Sequence, residues 1–100
     1  MQQVDIEQMA SAIEREATVV DVREPEEYRE GHIPGAANIP MGQLPVRFGD
    51  LDGDEPVYVV CATGHRSSAM TEVLTANGFN AINVSGGTSA WIRSGRPVER

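Results

Sequence analysis

One hundred residues suffice for one hydrophobic core but not two, so residues 1–100 are expected to form a single domain. One cysteine excludes an internal disulfide and with it a disulfide-stapled secreted scaffold. The net charge of −7, with all eight basic residues arginine, argues against a broad nucleic-acid surface, which needs clustered cations facing phosphates.

The elements alternate along the chain. Val4-Asp5-Ile6 reads as a short first strand, followed by a helix over Glu7 to Arg15 with Met9, Ala12 and Ile13 on one face. Thr18 to Val22 is a strong β-branched strand. Glu24 to Tyr28 reads as a short helix with Pro25 in its first turn and carboxylates near its positive end. Gly31 to Gly35 is a turn that feeds a short strand at Ala37-Asn38-Ile39, and Gln43 to Leu51 a short or irregular helix interrupted by Pro45 and Gly49. Val57 to Val60 reads as a buried parallel strand. A helix from about Arg66 to Ala76, stopped by Asn77-Gly78, precedes a strand at Ala81 to Val84 and a last helix from Thr88 to Arg93. This β-α rhythm predicts an α/β fold, a mostly parallel sheet with helices on both faces. Strand order is not readable from it.

The lone Cys61 stands where a predicted strand ends and a loop, Ala62-Thr63-Gly64-His65-Arg66-Ser67, leads into a helix. Ligands of open α/β sheets bind at the carboxyl ends of the strands, and loop N–H groups at a helix start can stabilise an anion such as a thiolate. No stretch approaches the roughly 18 apolar residues of a membrane span. Met1 to Glu7 has neither the basic region nor the apolar run of a secretory signal, so a cytoplasmic address is expected.

Four segments in order then resemble the rhodanese family. Asp21-Val22-Arg23, and Glu27-Tyr28 with Gly31-His32-Ile33-Pro34-Gly35-Ala36 and Asn38-Ile39-Pro40, are similar to its first signature. Cys61 to Ser67 resembles its active-site loop, and Gly86-Gly87 with Trp91 its closing motif. The resemblance implies a single-domain rhodanese-like fold with a five-stranded, mostly parallel sheet. It also implies sulfane-sulfur transfer through a cysteine persulfide, with thiosulfate as donor in the test tube and cyanide or a thiol as acceptor.

The residues support that chemistry in their own right. A thiolate attacks sulfur, holds it covalently and releases it to a second thiophile, provided that neighbouring cations or N–H groups lower its pKa. Arg66 can hold the sulfonate of a small anionic donor through paired N–H groups, or pair with Glu72 or another carboxylate. Gly64 lets the loop turn inward. Thr63 and Ser67 offer hydroxyls to the sulfur or the loop backbone, and Ser67 could equally cap the helix. His65 faces solvent or, when protonated, an anionic substrate. Ala62 completes the lining. His32 is expected to fix its own turn, Asp21 and Arg23 to brace a strand end, Trp91 to anchor the last helix, and Gly86-Gly87 to shape the turn before it. No cofactor or metal is expected, because no ligand pair has zinc-site spacing, and the chain is expected to be monomeric.

Two other readings stay open. A sulfur-relay or regulatory binding module would take persulfide sulfur from one protein partner and hand it to another. A small phosphatase or arsenate reductase would also place a cysteine in a loop before a helix, but those families resemble one another through five residues between Cys and Arg. Here four separate Cys61 from Arg66, and Ser67 takes the phosphatase spacing.

Overall fold

The structure, a computed structural model, describes residues 1–100. In chain order its elements are β1 (Gln2–Val4), α1 (Ile6–Glu14), β2 (Thr18–Asp21), α2 (Pro25–Glu30), β3 (Ala37–Asn38), a 3-10 segment (Leu44–Asp50), β4 (Val57–Val60), α3 (His65–Ala76), β5 (Ala81–Val84) and α4 (Gly87–Arg93). The five strands form one sheet in the order β1-β5-β4-β2-β3, with every pairing parallel.

Both faces of the sheet are covered, which is why its central strands are apolar almost without interruption. Alternate residues along β4 serve opposite cores. Val57, Val59 and then Cys61 join Val20, Val22, Ile39, Leu44, Leu74 and Ala81 beneath α3 and the 3-10 segment. Val60 joins Met9, Ala12, Val19, Ile33, Val84 and Trp91 beneath α1 and α4. Burying side chains such as Ile33, Leu44 and Leu74, none of them exposed, contributes about 1.5–3 kcal/mol each.

Several boundaries differ from the sequence reading. The first strand is Gln2–Val4 rather than Val4 to Ile6, because Asp5 starts α1 instead of extending the strand. Asp5 accepts the Gln8 N–H at 2.8 Å and Gln8 Oε1 accepts the Asp5 N–H at 3.0 Å, a reciprocal cap that satisfies two helix-end donors. The expected irregular helix is a 3-10 segment with Pro45 in its first turn. In α3 the buried stripe is Ser67, Thr71 and Leu74, two hydroxyls and one leucine. Thr71 Oγ1 donates to the Ser67 carbonyl at 2.7 Å, so this hydroxyl is buried without being orphaned.

Beyond β2 the chain is pinned by charge. Arg23 Nη2 donates to Asp21 Oδ2 at 2.8 Å and to the Gly31 carbonyl at 2.9 Å, and Arg23 Nε donates to Asp21 Oδ1 at 3.0 Å. Asp21 has no exposure and Arg23 only 6%, so this is the buried brace that the sequence led one to expect. His32 Nδ1 lies 2.9 Å from the Tyr28 carbonyl, which can only accept, and the His32 ring stacks on Tyr28 at 3.6 Å. His32 and Glu99 exchange two backbone hydrogen bonds of 2.9 Å, tying the C-terminal segment to this turn. Trp91 is buried, as expected of an anchor, and its Nε1 donates to the Pro97 carbonyl at 2.8 Å.

Candidate active site

Cys61 follows β4, the middle strand of the sheet, and the loop it opens closes over its own sulfur. Gly64, at φ +110°, carries the chain back so that its N–H donates to Cys61 Sγ at 3.1 Å. A side chain is strained at that φ, which is the reason for glycine there. Ser67, one turn into α3 and fully buried, places its Oγ 3.3 Å from the same sulfur. When Cys61 is ionised the Ser67 hydroxyl is the donor. The helix is capped by Gly64, not by Ser67, so the hydroxyl is left for the sulfur.

These contacts settle the electrostatics of the thiol. Burial raises its pKa, since Cys61 is only 1% exposed. The Ser67 hydroxyl and the backbone N–H groups of Ser67, Gly64 and Thr63 lower it, and they prevail, so the thiol lies below its ordinary value. Neutral donors ring the sulfur, as in a nest for an anion.

The other side of the loop is held by α4. Thr88 N–H donates to the Cys61 carbonyl and Ser89 N–H to the Ala62 carbonyl, both at 2.9 Å. The fit requires Gly87 at φ +57°, because a Cβ there would stand 2.4 Å from the Cys61 carbonyl oxygen. The glycine pair therefore does more than shape a turn. It lets a helix start touch the backbone of the cysteine loop.

The remaining loop residues lie around the mouth. Thr63 and His65 are exposed, with Thr63 Oγ1 3.5 Å from His65 Nδ1, and Ala62 is half-buried. Arg66 does not extend freely over the sulfur. Its Nη1 and Nη2 donate to Glu27 Oε1 and Oε2 at 2.7 and 2.9 Å, a two-pronged pair. Glu27 is also the third residue of α2, where its Oε1 accepts the Glu24 N–H at 3.1 Å. The Arg66 guanidinium holds the Glu27 carboxyl at about 2, against the opposing effect of burial. In return, the hydrogen bond to Glu27 raises the pKa of Arg66. The carboxylate beside Arg66 is thus Glu27, not Glu72, and 39 residues of sequence separate the two with no local pattern to join them. A cleft of about 430 Å³ lined by Glu24, Pro40, Met41, Gly42, Gln43 and Arg66 opens beside the pair.

His32 and Arg23 are committed to the turn and brace described above, so neither joins Cys61 in a catalytic pair. No group of three or more His, Cys, Asp or Glu side chains is arranged to hold a metal ion. No helix is long and apolar enough to cross a membrane.

Known proteins resemble this chain in sequence and in fold. The rhodanese-like domain family matches residues 5–94. The chain is 44% identical over 78 residues to the uncharacterized protein YqhL of Bacillus subtilis strain 168, covering 77% of this chain and 62% of that one, so it spans less than two thirds of that relative. It is 36% identical over 81 residues to a sulfurtransferase of Allochromatium vinosum, covering 80% of this chain and 76% of the relative. The crystal structure of a rhodanese-related protein from Thermoplasma volcanium matches with a TM-score of 0.93 at 36% identity, over 99% of this chain and 98% of the other. With a parallel five-stranded sheet, the cysteine loop after its middle strand and a family match over nearly the whole chain, the protein belongs to the rhodanese-like domain family.

Proposed function

We propose that this protein is a sulfurtransferase that moves a sulfane sulfur from a small donor to a thiophilic acceptor through a persulfide on Cys61. The observation that carries the reading is the sulfur's own shell: Gly64 N–H at 3.1 Å, Ser67 Oγ at 3.3 Å and a thiol pKa below the ordinary value. Such a shell stabilises a thiolate as nucleophile and, after transfer, supports the negative charge of a persulfide.

With thiosulfate as donor, the Cys61 thiolate attacks the outer sulfur and the S–S bond of thiosulfate breaks, its electron pair leaving with sulfite. Charge and atoms balance as Cys61–S⁻ plus S–SO3²⁻ giving Cys61–S–S⁻ plus SO3²⁻. In the second half, cyanide or a thiolate attacks the terminal sulfur and the electron pair returns to Cys61. No general base is needed once the thiol is ionised, which agrees with the lack of a histidine hydrogen-bonded to Sγ. Ser67, which holds the place of the phosphatase arginine by spacing, is buried against the sulfur and brings no positive charge. That favours sulfur over a tetrahedral phosphate.

The test is intact mass after incubating reduced protein with thiosulfate, beside Cys61→Ser. A gain of one sulfur, removed by cyanide and absent in the variant, is the expected result. A protein that gains sulfur equally without Cys61 refutes the mechanism.

A further inference from the structure

We infer that Glu27 is a specificity-determining residue that turns this site away from dianionic donors such as thiosulfate and toward organic persulfides, an inference that rests on the sulfurtransferase reading above. Arg66 is the only arginine or lysine of the cysteine loop, and Glu27 occupies both of its terminal nitrogens at 2.7 and 2.9 Å. A sulfonate seeking the same paired contact must displace a carboxylate that is itself anchored. Glu27 Oε1 accepts the Glu24 N–H at 3.1 Å, so the start of α2 aims the carboxylate at Arg66. Glu24 lines the cleft alongside Arg66 and adds a second negative charge there. Two carboxylates against one guanidinium leave this flank of the mouth net anionic on a chain of charge −7. Dianions are repelled from such a flank, and a donor charged only at its terminal sulfur is repelled less.

The sulfur itself does not depend on Arg66. Its donors are the Ser67 hydroxyl and loop N–H groups, which suffice for a persulfide anion carrying one charge. The transfer balances as Cys61–S⁻ plus R–S–S⁻ plus a proton from water giving Cys61–S–S⁻ plus R–SH. The donor S–S bond breaks, and its electron pair leaves with the carrier sulfur, which the proton then neutralises. Apart from Glu24 and Arg66, the cleft is lined by Pro40, Met41, Gly42 and Gln43, uncharged residues against which the carrier R can lie.

Glu27→Gln separates charge from shape, because glutamine also serves as a capping acceptor at the third helix position. The rate constant for loading sulfur onto Cys61 is measured by intact mass with two probes, thiosulfate and the hydropersulfide of 2-mercaptoethanol. The wild-type protein is expected to load faster from the hydropersulfide. Glu27→Gln is expected to raise the thiosulfate constant about tenfold and the hydropersulfide constant less than about threefold, tenfold corresponding to about 1.4 kcal/mol. The rise of the thiosulfate constant with added salt, which reports repulsion at the mouth, is expected to flatten in the variant, and Glu27→Asp to restore the wild-type preference. A donor ratio and salt dependence unchanged in Glu27→Gln, or both constants falling together, overturn the inference while leaving the persulfide mechanism intact. Failure of the wild-type protein to load from either donor overturns the sulfurtransferase reading and the inference with it.

Discussion

Replacing Gly87 with alanine tests how the cysteine loop is held. The new Cβ would lie 2.4 Å from the Cys61 carbonyl oxygen and 2.7 Å from that of Ala62, both backbone atoms that cannot rotate away. Reaching even a 3.0 Å separation requires a shift of roughly 0.6 Å at a close-packed contact, where small volume changes are felt. That shift stretches the Thr88 and Ser89 hydrogen bonds to the loop, each 2.9 Å long and worth about 0.5–1.5 kcal/mol. Holding a non-glycine residue at φ +57° adds about 1–2 kcal/mol. The sum, about 2–5 kcal/mol, is a large part of the ~5–15 kcal/mol that keeps a domain folded.

Urea unfolding followed by circular dichroism measures the loss. Gly78→Ala is the control, because Gly78 has φ +90° but nothing within 4 Å of its Cβ position, so it carries the conformational cost alone. Gly87→Ala should lose at least about 1 kcal/mol more than this control and should also alter the alkylation rate of Cys61, whose carbonyl moves. Equal losses in the two variants, with unchanged alkylation, refute the claim that α4 positions the loop.

Ser67→Ala removes a donor from the sulfur, so the Cys61 thiol pKa should rise and alkylation near neutral pH should slow about fivefold, as expected for one hydrogen bond; an unshifted pH–rate profile contradicts this. Arg23→Ala leaves the fully buried Asp21 without its partner and should cost about 3–5 kcal/mol in denaturant unfolding, because an unpaired buried charge is expensive; a loss under about 1 kcal/mol argues against the brace. Glu27 is depressed from 4.5 to about 2, so its contribution to stability is full above 4.5 and is lost as pH falls through about 2. Since both partners are about one-third exposed, that contribution is screened to under about 1 kcal/mol. Between these pH values the wild-type protein should lose slightly more stability than Glu27→Gln, and identical acid slopes would contradict the pairing.

The strands β4 and β5 were legible to the residue, because a run of branched apolar side chains between turn residues has few other uses. The loop after β4 was legible too, since a cysteine at a strand end followed by glycine and a helix has a recognisable order. Asp5 misled because Val-Asp-Ile alternates like a strand, and only the reciprocal bonds with Gln8 made it a cap. Ser67 could be read as a cap or as a contact to the sulfur. Only the turn geometry that puts Gly64 at the cap settled it.

The chain's local chemistry, with its apolar runs, glycines and cysteine loop, was enough to determine a parallel α/β domain with a lone cysteine at a strand end. Tertiary structure alone decided what surrounds that sulfur. It brought Glu27 to Arg66 across 39 residues and set the start of α4 against the Cys61 carbonyl. The physical reason is range: propensity and periodicity act within a few residues, whereas an ion pair or helix contact made across the sheet depends on strand order, which no local pattern encodes.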